Sequence, residues 1–111
     1  MEPYQIYNVN LGQGTGHEQN GERPAILIKI IEEIGICIVV PLTSNLTHSA
    51  LPYTVQINKT SSTNLTNNSV ALVMQVRAIS KMRLPNNSIG KLEEYQIRKI
   101  KSILKDMLAL E

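Results

Sequence analysis

The residues best suited to chemistry stand together in one short polar segment that leads into an apolar run. This segment contains His17, Glu18 and Arg23 among several glycines. Histidine titrates nearest to neutral pH and can move a proton, and a carboxylate can accept one. The guanidinium of Arg23 can bind two oxygens of an anion at once. The segment predicts acid–base chemistry on an anion, or else a solvated loop in which Arg23 only anchors Glu18.

A second polar pair follows an apolar run further along the chain. Thr43 and Ser44 come directly after residues 39–42, which have the sequence Val-Val-Pro-Leu. A hydroxyl at the end of a strand could donate a hydrogen bond to the same anion as Arg23. Such a pair also commonly forms a turn, and the residues alone leave both interpretations open.

The segments around these residues favour a sheet of short strands. Residues 5–11 alternate apolar and polar side chains, which predicts a half-buried strand. Two apolar runs, 25–31 and 34–40, are joined by Glu32-Glu33 and predict a hairpin buried on both faces, which Pro41 should end. Two more strands are predicted at 53–57 and 69–79, with loops at 43–52, 58–68 and 85–88.

Residues 93–110 predict a helix. Its apolar side chains recur at three- and four-residue spacing and form one stripe, made of Ile97, Ile100, Leu104, Met107 and Leu108. Several short strands and one closing helix, without strand–helix alternation, predict a mainly β protein with a C-terminal helix. The sheet should form a small antiparallel barrel or a curled sheet.

Composition limits the possible functions. The chain has 111 residues, a net charge of +2 and a pI of about 8.8, so nucleic acid would have to be bound by a local basic patch. Cys37 is the only cysteine, and its apolar surroundings predict a core residue. No apolar run approaches the roughly 20 residues of a membrane span. We therefore expect a cytoplasmic protein with no membrane partner.

Cofactor motifs are missing from the sequence. Two distant histidines and one cysteine do not make a zinc site, and no phosphate-binding glycine motif has the required spacing. We therefore expect no metal and no cofactor.

The order of the motifs resembles one known family. The sequence G-H-E-Q-x-G-x-R-P over residues 16–24, directly before an apolar strand, is similar to the signature of the MazF/PemK toxin endoribonucleases. The segments 39–44, 72–79 and 89–92 follow at matching distances, so the resemblance covers nearly the whole chain. It implies one MazF/PemK-like domain over residues 1–111, with an SH3-like barrel that works as a homodimer.

The resemblance also implies a function. The expected activity is metal-independent, sequence-specific cleavage of single-stranded RNA (mRNA), leaving 2′,3′-cyclic phosphate and 5′-OH ends. Such cleavage uses the neighbouring 2′-OH of the RNA, so the protein supplies a base, a cation and an acid. The implied partners are a cognate antitoxin protein and, through that antitoxin, operator DNA.

Residue by residue, the resemblance assigns roles to the motif positions. It makes Arg23 and Thr43 catalytic, and it gives His17 the catalytic role that a histidine has in the members that carry one here. Glu18 could accept the 2′ proton or hold Arg23 in place, and the sequence does not separate these roles. The expected RNA-binding residues are Gln19, Ser44, Gln75 and Arg77. The chain departs from the family at Met74, where members commonly carry an acid, and at Leu72, where some members carry an arginine. The predicted strand 69–79 therefore offers no side chain that could take the 2′ proton.

This departure supports an alternative function. A catalytically weakened relative could keep the fold and act as an antitoxin- or nucleic-acid-binding module. A gyrase poison with the same fold is a third possibility, but its family relies on a tryptophan near the C-terminus and this chain contains none.

Overall fold

The computed structural model describes residues 1–13, 16 and 21–110, and over these residues it confirms a mainly β protein with a C-terminal helix. The described residues form seven strands and one α-helix, besides short 3₁₀ turns. These elements are β1 (Gln5–Asn10), β2 (Glu22–Ile31), β3 (Ile36–Thr43), β4 (Thr54–Ile57), β5 (Ser69–Leu72), β6 (Arg77–Ser80), β7 (Gly90–Lys91) and α1 (Glu94–Met107).

The strands form one antiparallel sheet in the order β4-β5-β3-β2-β1-β7, and β6 also pairs with β3. The first half of β3 pairs with β6, and its last two residues, Leu42 and Thr43, pair with β5. β3 therefore exchanges one neighbour for another along its length, which lets the sheet curl.

The β2–β3 hairpin forms as predicted, with two corrections. A 3₁₀ turn, Glu32–Ile34, and Gly35 with a φ of 62° close it. β3 does not end at Pro41 but runs through it to Thr43. Pro41 is tolerated because it lies between the stretch of β3 that pairs with β6 and the stretch that pairs with β5. The hairpin is also not buried on both faces throughout, since Lys29 and Ile34 near its tip are exposed.

The strand predicted over residues 69–79 is broken in two. A 3₁₀ turn, Val73–Gln75, separates β5 from β6. Leu42 pairs with Ala71 and Val39 pairs with Arg77, so a step of three residues along β3 corresponds to six in the partner segment. The turn Val73–Gln75 accounts for the three extra residues. The hydrophobic pattern of the sequence does not reveal this break in the strand.

The helix α1 spans Glu94–Met107 and covers one face of the sheet. It begins with a reciprocal capping box, in which the Glu93 N–H donates to Gln96 Oε1 at 2.8 Å and the Glu93 side chain accepts from the backbone of Gln96. Ile100 is fully buried against residues of β1, β2 and β3. Leu108 lies past the last helical residue and is 53% exposed, so its place in the apolar stripe was predicted wrongly.

The opposite face of the sheet carries a second apolar cluster, which includes Tyr7, Val9, Leu27, Val39 and Cys37. Cys37 is fully buried there, as predicted, and burial raises the pKa of its thiol. Over the described residues, no helix is both long and apolar enough to cross a membrane.

Candidate active site

A cleft of about 250 Å³ lies at one end of the sheet, where β2, β3 and the loop of residues 58–68 come together. Three predicted site residues, Arg23, Thr43 and Ser44, line it. The other described residues that line it are Asn8, Glu22, Pro24, Leu42, Asn64, Leu65, Thr66, Asn67, Ser69 and Ile89.

The ends of β2 and β3 position Arg23 and Thr43. The ladder between these strands extends as far as the pair Ala25–Pro41, so Arg23 and Thr43 each lie two residues beyond it. Arg23 pairs instead with Val9 of β1, and Thr43 pairs with Val70 of β5. Different neighbouring strands therefore hold Arg23 and Thr43 in place, and both residues line the same cleft.

The hydroxyl of Thr43 is held by the segment that follows it. The Asn45 N–H donates to Thr43 Oγ1 at 3.2 Å, and Thr43 is only 5% exposed. Asn45 caps the 3₁₀ turn Leu46–Ala50, because its Oδ1 accepts from the Thr47 N–H at 3.2 Å and from the Thr47 hydroxyl at 2.6 Å. Thr43 Oγ1 thus accepts from the backbone while its proton can be donated into the cleft.

Strand alternation separates the residues around the cleft into two groups. Arg23 lies on the same face of the sheet as Val9, and Pro24 lies on the same face as Asn8. Glu22 also shares the face of Pro24, since the two are two residues apart. The cleft lies at the end of the sheet, so residues from both groups, Arg23 on one face and Asn8, Glu22 and Pro24 on the other, line it.

The loop of residues 58–68 forms the wall opposite the strands, and many hydrogen bonds tie it down. The Lys59 N–H donates to Asn68 Oδ1 at 2.9 Å and so closes the base of the loop. The Lys91 N–H donates to the Ser62 carbonyl at 2.9 Å, and Thr63 is fully buried. A Cβ on Gly90 would collide with the backbone of Ser62 and Thr63, so the loop lies directly against β7.

Two predicted RNA-binding residues are placed elsewhere. Gln75 lies in the 3₁₀ turn between β5 and β6, and Arg77 lies opposite Val39 on β6. Arg77 Nη2 donates to the carbonyl of Leu11 at 3.2 Å, just before the glycine-rich segment. Arg77 therefore fixes the end of β1, and RNA binding by Arg77 and Gln75 stays a prediction. His17, Glu18 and Gln19 lie outside the described residues.

Sequence reasoning missed several residues that line the cleft. Asn8, Glu22 and the segment of residues 64–67 were not predicted to belong to the site. The one signal for residues 64–67 is the abundance of asparagine and threonine in residues 58–68, which alone indicates only a loop, and Asn8 and Glu22 carry no such signal. His48, which belongs to no motif of the sequence, is partly buried, with Nε2 at 3.4 Å from Asn45 Nδ2.

The arrangement suits an anionic ligand. Arg23 supplies a positive charge and a planar donor group, and Thr43 and Ser44 supply hydroxyl donors at the same opening. Within the described part of the chain, no group of three or more His, Cys, Asp or Glu residues is placed to hold a metal ion.

A curled antiparallel sheet, a closing helix and a polar cleft at one end of the sheet define the chain as a small, mainly β protein. The chain belongs to the family of PemK-like, MazF-like toxins of type II toxin–antitoxin systems, whose model matches residues 2–108. A comparison with curated protein sequences found no match.

Solved structures share the fold over almost the whole chain. The MazF of Deinococcus radiodurans (Form-I) has a TM-score of 0.80 and 18% sequence identity, over 99% of this chain and 97% of that chain. The Mycobacterium tuberculosis toxin MazF-mt6 has a TM-score of 0.72 and 17% identity, over 96% and 98%. A mycobacterial endoribonuclease in complex with its cognate antitoxin has a TM-score of 0.73 and 18% identity, over 98% and 95%. These likenesses confirm the predicted MazF/PemK-like toxin fold.

Proposed function

We propose that the chain is a sequence-specific endoribonuclease that cleaves single-stranded RNA, acting as the toxin of its toxin–antitoxin pair. The observation that carries this proposal is that Arg23 and Thr43 line one cleft although they are distant in sequence. Family membership and the mycobacterial relatives, which are named endoribonucleases, support the choice of RNA as substrate.

The proposed reaction needs no metal. The 2′-oxygen attacks the adjacent phosphorus, and a 2′-O–P bond forms while the bond from phosphorus to the 5′-oxygen breaks. A base takes the 2′ proton and an acid protonates the departing 5′-oxygen, so the products carry 2′,3′-cyclic phosphate and 5′-OH ends. Arg23 binds two phosphate oxygens and Thr43 donates to the same group, which stabilises the charge of the transition state.

The acid–base residues come from the glycine-rich segment. Leu72, at the end of β5, and Met74, in the 3₁₀ turn after it, have side chains without a basic group, so neither supplies a proton acceptor. His17 and Glu18 remain the proposed acid–base pair, with Gln19, Ser44, Gln75 and Arg77 as further RNA contacts. The proposed partners are an antitoxin that covers the cleft, a second copy of the chain, and operator DNA bound through the antitoxin. The proposed place of action is the cytoplasm.

Incubation of the purified protein with a long single-stranded RNA in excess EDTA tests this function. We expect cuts at defined positions and fragments that carry 2′,3′-cyclic phosphate and 5′-OH ends, identified by mass spectrometry. Cleavage that requires Mg²⁺ would exclude the 2′-OH mechanism. Binding of RNA without any cleavage would support the second candidate, a binding module, which the apolar Leu72 and Met74 favour.

A further inference from the structure

Building on the proposed ribonuclease function, we propose that His48 is a positioning residue, which acts through Asn45 to hold the Thr43 hydroxyl in the orientation that cleavage needs. These residues lie in one short segment, where β3 ends and the 3₁₀ turn Leu46–Ala50 begins. Thr43 lines the cleft, whereas His48 is not one of the described residues that line it. His48 therefore affects the cleft only through its neighbours in this segment.

Asn45 joins His48 to Thr43, because each of its hydrogen-bonding groups has a partner in this segment. Its N–H donates to Thr43 Oγ1 at 3.2 Å, and its carbonyl accepts from the His48 N–H at 3.1 Å. In its side chain, Oδ1 accepts from the N–H and the hydroxyl of Thr47, and Nδ2 lies 3.4 Å from His48 Nε2. These bonds tie the side-chain amide of Asn45 to the placement of its own backbone N–H.

The hydrogen bonds of Asn45 assign the proton of the His48 ring. Because Oδ1 of Asn45 faces Thr47, its Nδ2 faces the imidazole, and an amide NH₂ group only donates. Nε2 of His48 must then accept, so the ring proton is on Nδ1. Nδ1 is buried and has no hydrogen-bond partner among the described residues. Within that part of the chain, Asn45 is thus the one side chain that forms a hydrogen bond with the ring.

The hydroxyl of Thr43 is the group that this contact holds. Its oxygen accepts from the Asn45 N–H, which leaves its proton for an oxygen atom in the cleft. A donor that is fixed before the substrate binds stabilises the transition state without further reorganisation. Without the acceptor on His48, Asn45 loses one of its bonds and the Thr43 hydroxyl is held less firmly. We expect an effect on the rate of cleavage and not on RNA affinity, because Arg23 still binds the phosphate.

The substitution His48→Ala removes the acceptor and tests the proposal in single-turnover cleavage. The rate should fall about tenfold, less than the roughly 10²-fold that a misplacement of about 1 Å can cost. His48→Gln should restore most of the rate, because its amide oxygen can take the place of Nε2 and accept from Asn45. Ser49→Ala is the matched control, since Ser49 is exposed in the same 3₁₀ turn, and it should keep the wild-type rate. If His48→Ala does not fold, His48→Leu takes its place.

A second substitution separates positioning from a general disturbance of the fold. In the Thr43→Val protein, His48→Ala should cause no further loss of rate, because the hydroxyl that His48 positions is already gone. Fluorescence anisotropy with an uncleavable 2′-fluoro RNA should give equal affinities for the wild type and His48→Ala. Losses of rate that multiply in the double variant would overturn the proposal, and so would a His48→Gln protein as slow as His48→Ala.

NMR of the free protein tests the contact independently of cleavage. At about pH 8, where histidine is ordinarily neutral, a long-range proton–nitrogen spectrum should show the His48 ring proton on Nδ1. The same spectrum of His17→Gln, which lacks the other histidine, assigns the signals. A ring proton on Nε2 would overturn the proposal. Equal cleavage rates for the wild type and His48→Ala would refute the role of His48 alone, whereas a wild type that cuts no RNA would refute the ribonuclease function.

Discussion

Arg23 and Thr43 each lie two residues past the last pair of the β2–β3 ladder, Ala25–Pro41, and both line the same cleft. Beyond that pair β2 keeps only its other neighbour, β1, which pairs with Arg23, and β3 pairs with β5 at Thr43. The site thus forms where two neighbouring strands stop pairing with each other. The paired strands β2 and β3 hold the guanidinium of Arg23 and the hydroxyl of Thr43 beside this cleft.

Replacing Thr43 by valine tests the role of its hydroxyl. Valine has nearly the same shape but cannot donate to a phosphate, so the cleavage rate should fall on the order of 10²-fold. The lost bond from the Asn45 N–H should cost roughly 0.5–1.5 kcal/mol of stability. Thr43→Ser should restore most of the rate, as measured in single-turnover assays. A Thr43→Val protein that cuts RNA at the wild-type rate would remove Thr43 from the site.

The sequence was sufficient to predict the strands and helix with a clear period. The β2–β3 hairpin follows from two continuous apolar runs, and α1 follows from an apolar stripe at three- and four-residue spacing. The break at Val73–Gln75 has no such signal, since it depends on which part of β3 each neighbouring strand meets. The helix predicted over residues 93–110 begins at Glu94, because Glu93 takes the N-cap position in place of the usual Ser, Thr or Asp.

The site was predicted only in part for a similar reason. Arg23, Thr43 and Ser44 belong to motifs with a fixed order, and the structure brings them together. Asn8 and Asn67 join them because of strand register and hydrogen bonds inside the loop of residues 58–68. Side chain–backbone bonds such as that from the Lys59 N–H to Asn68 Oδ1 leave no periodic pattern in a sequence.

Gly90→Ala tests whether the packing of the loop against β7 shapes the cleft. The added Cβ meets the backbone oxygens of Ser62 and Thr63, which cannot rotate away as a side chain would. We expect a loss of roughly 1–3 kcal/mol in the free energy of unfolding and weaker RNA binding. Gly35→Ala at the hairpin tip is the control, since its φ of 62° also penalises alanine, but far from the loop. Equal RNA binding by both variants would contradict the role of the loop.

Alkaline pH should destabilise the fold. Burial raises the pKa values of the Cys37 thiol and the Tyr7 hydroxyl, so the folded state holds these protons more tightly than the unfolded state. Their contribution to stability is present below the ordinary values and is lost as the pH rises, starting near the ordinary thiol pKa of 9.0. Urea unfolding across this range should show a decline that is smaller in Cys37→Ala. An identical decline in both proteins would contradict the role of the thiol.

His17 is predicted to move a proton in the reaction. The cleavage rate should then show an inflection at roughly pH 6–7, and His17→Gln should remove the inflection together with most of the activity. His48→Gln is the matched control, since it removes the other histidine of the chain, and it should keep the inflection. A His17→Gln protein with the wild-type rate would transfer the role to Glu18.

Cleavage of single-stranded RNA by Arg23→Ala, measured beside the wild type, tests the central claim most directly. Arg98→Ala is the control, because Arg98 is an exposed cation on α1. Loss of an electrostatic catalytic group should lower the rate on the order of 10²–10³-fold. Arg23 is only half-buried, so the free energy of unfolding should change by less than about 1 kcal/mol. We predict a folded Arg23→Ala protein with this loss of rate and an Arg98→Ala protein with the wild-type rate. A folded Arg23→Ala protein that cuts RNA as fast as the wild type would place the catalytic site elsewhere.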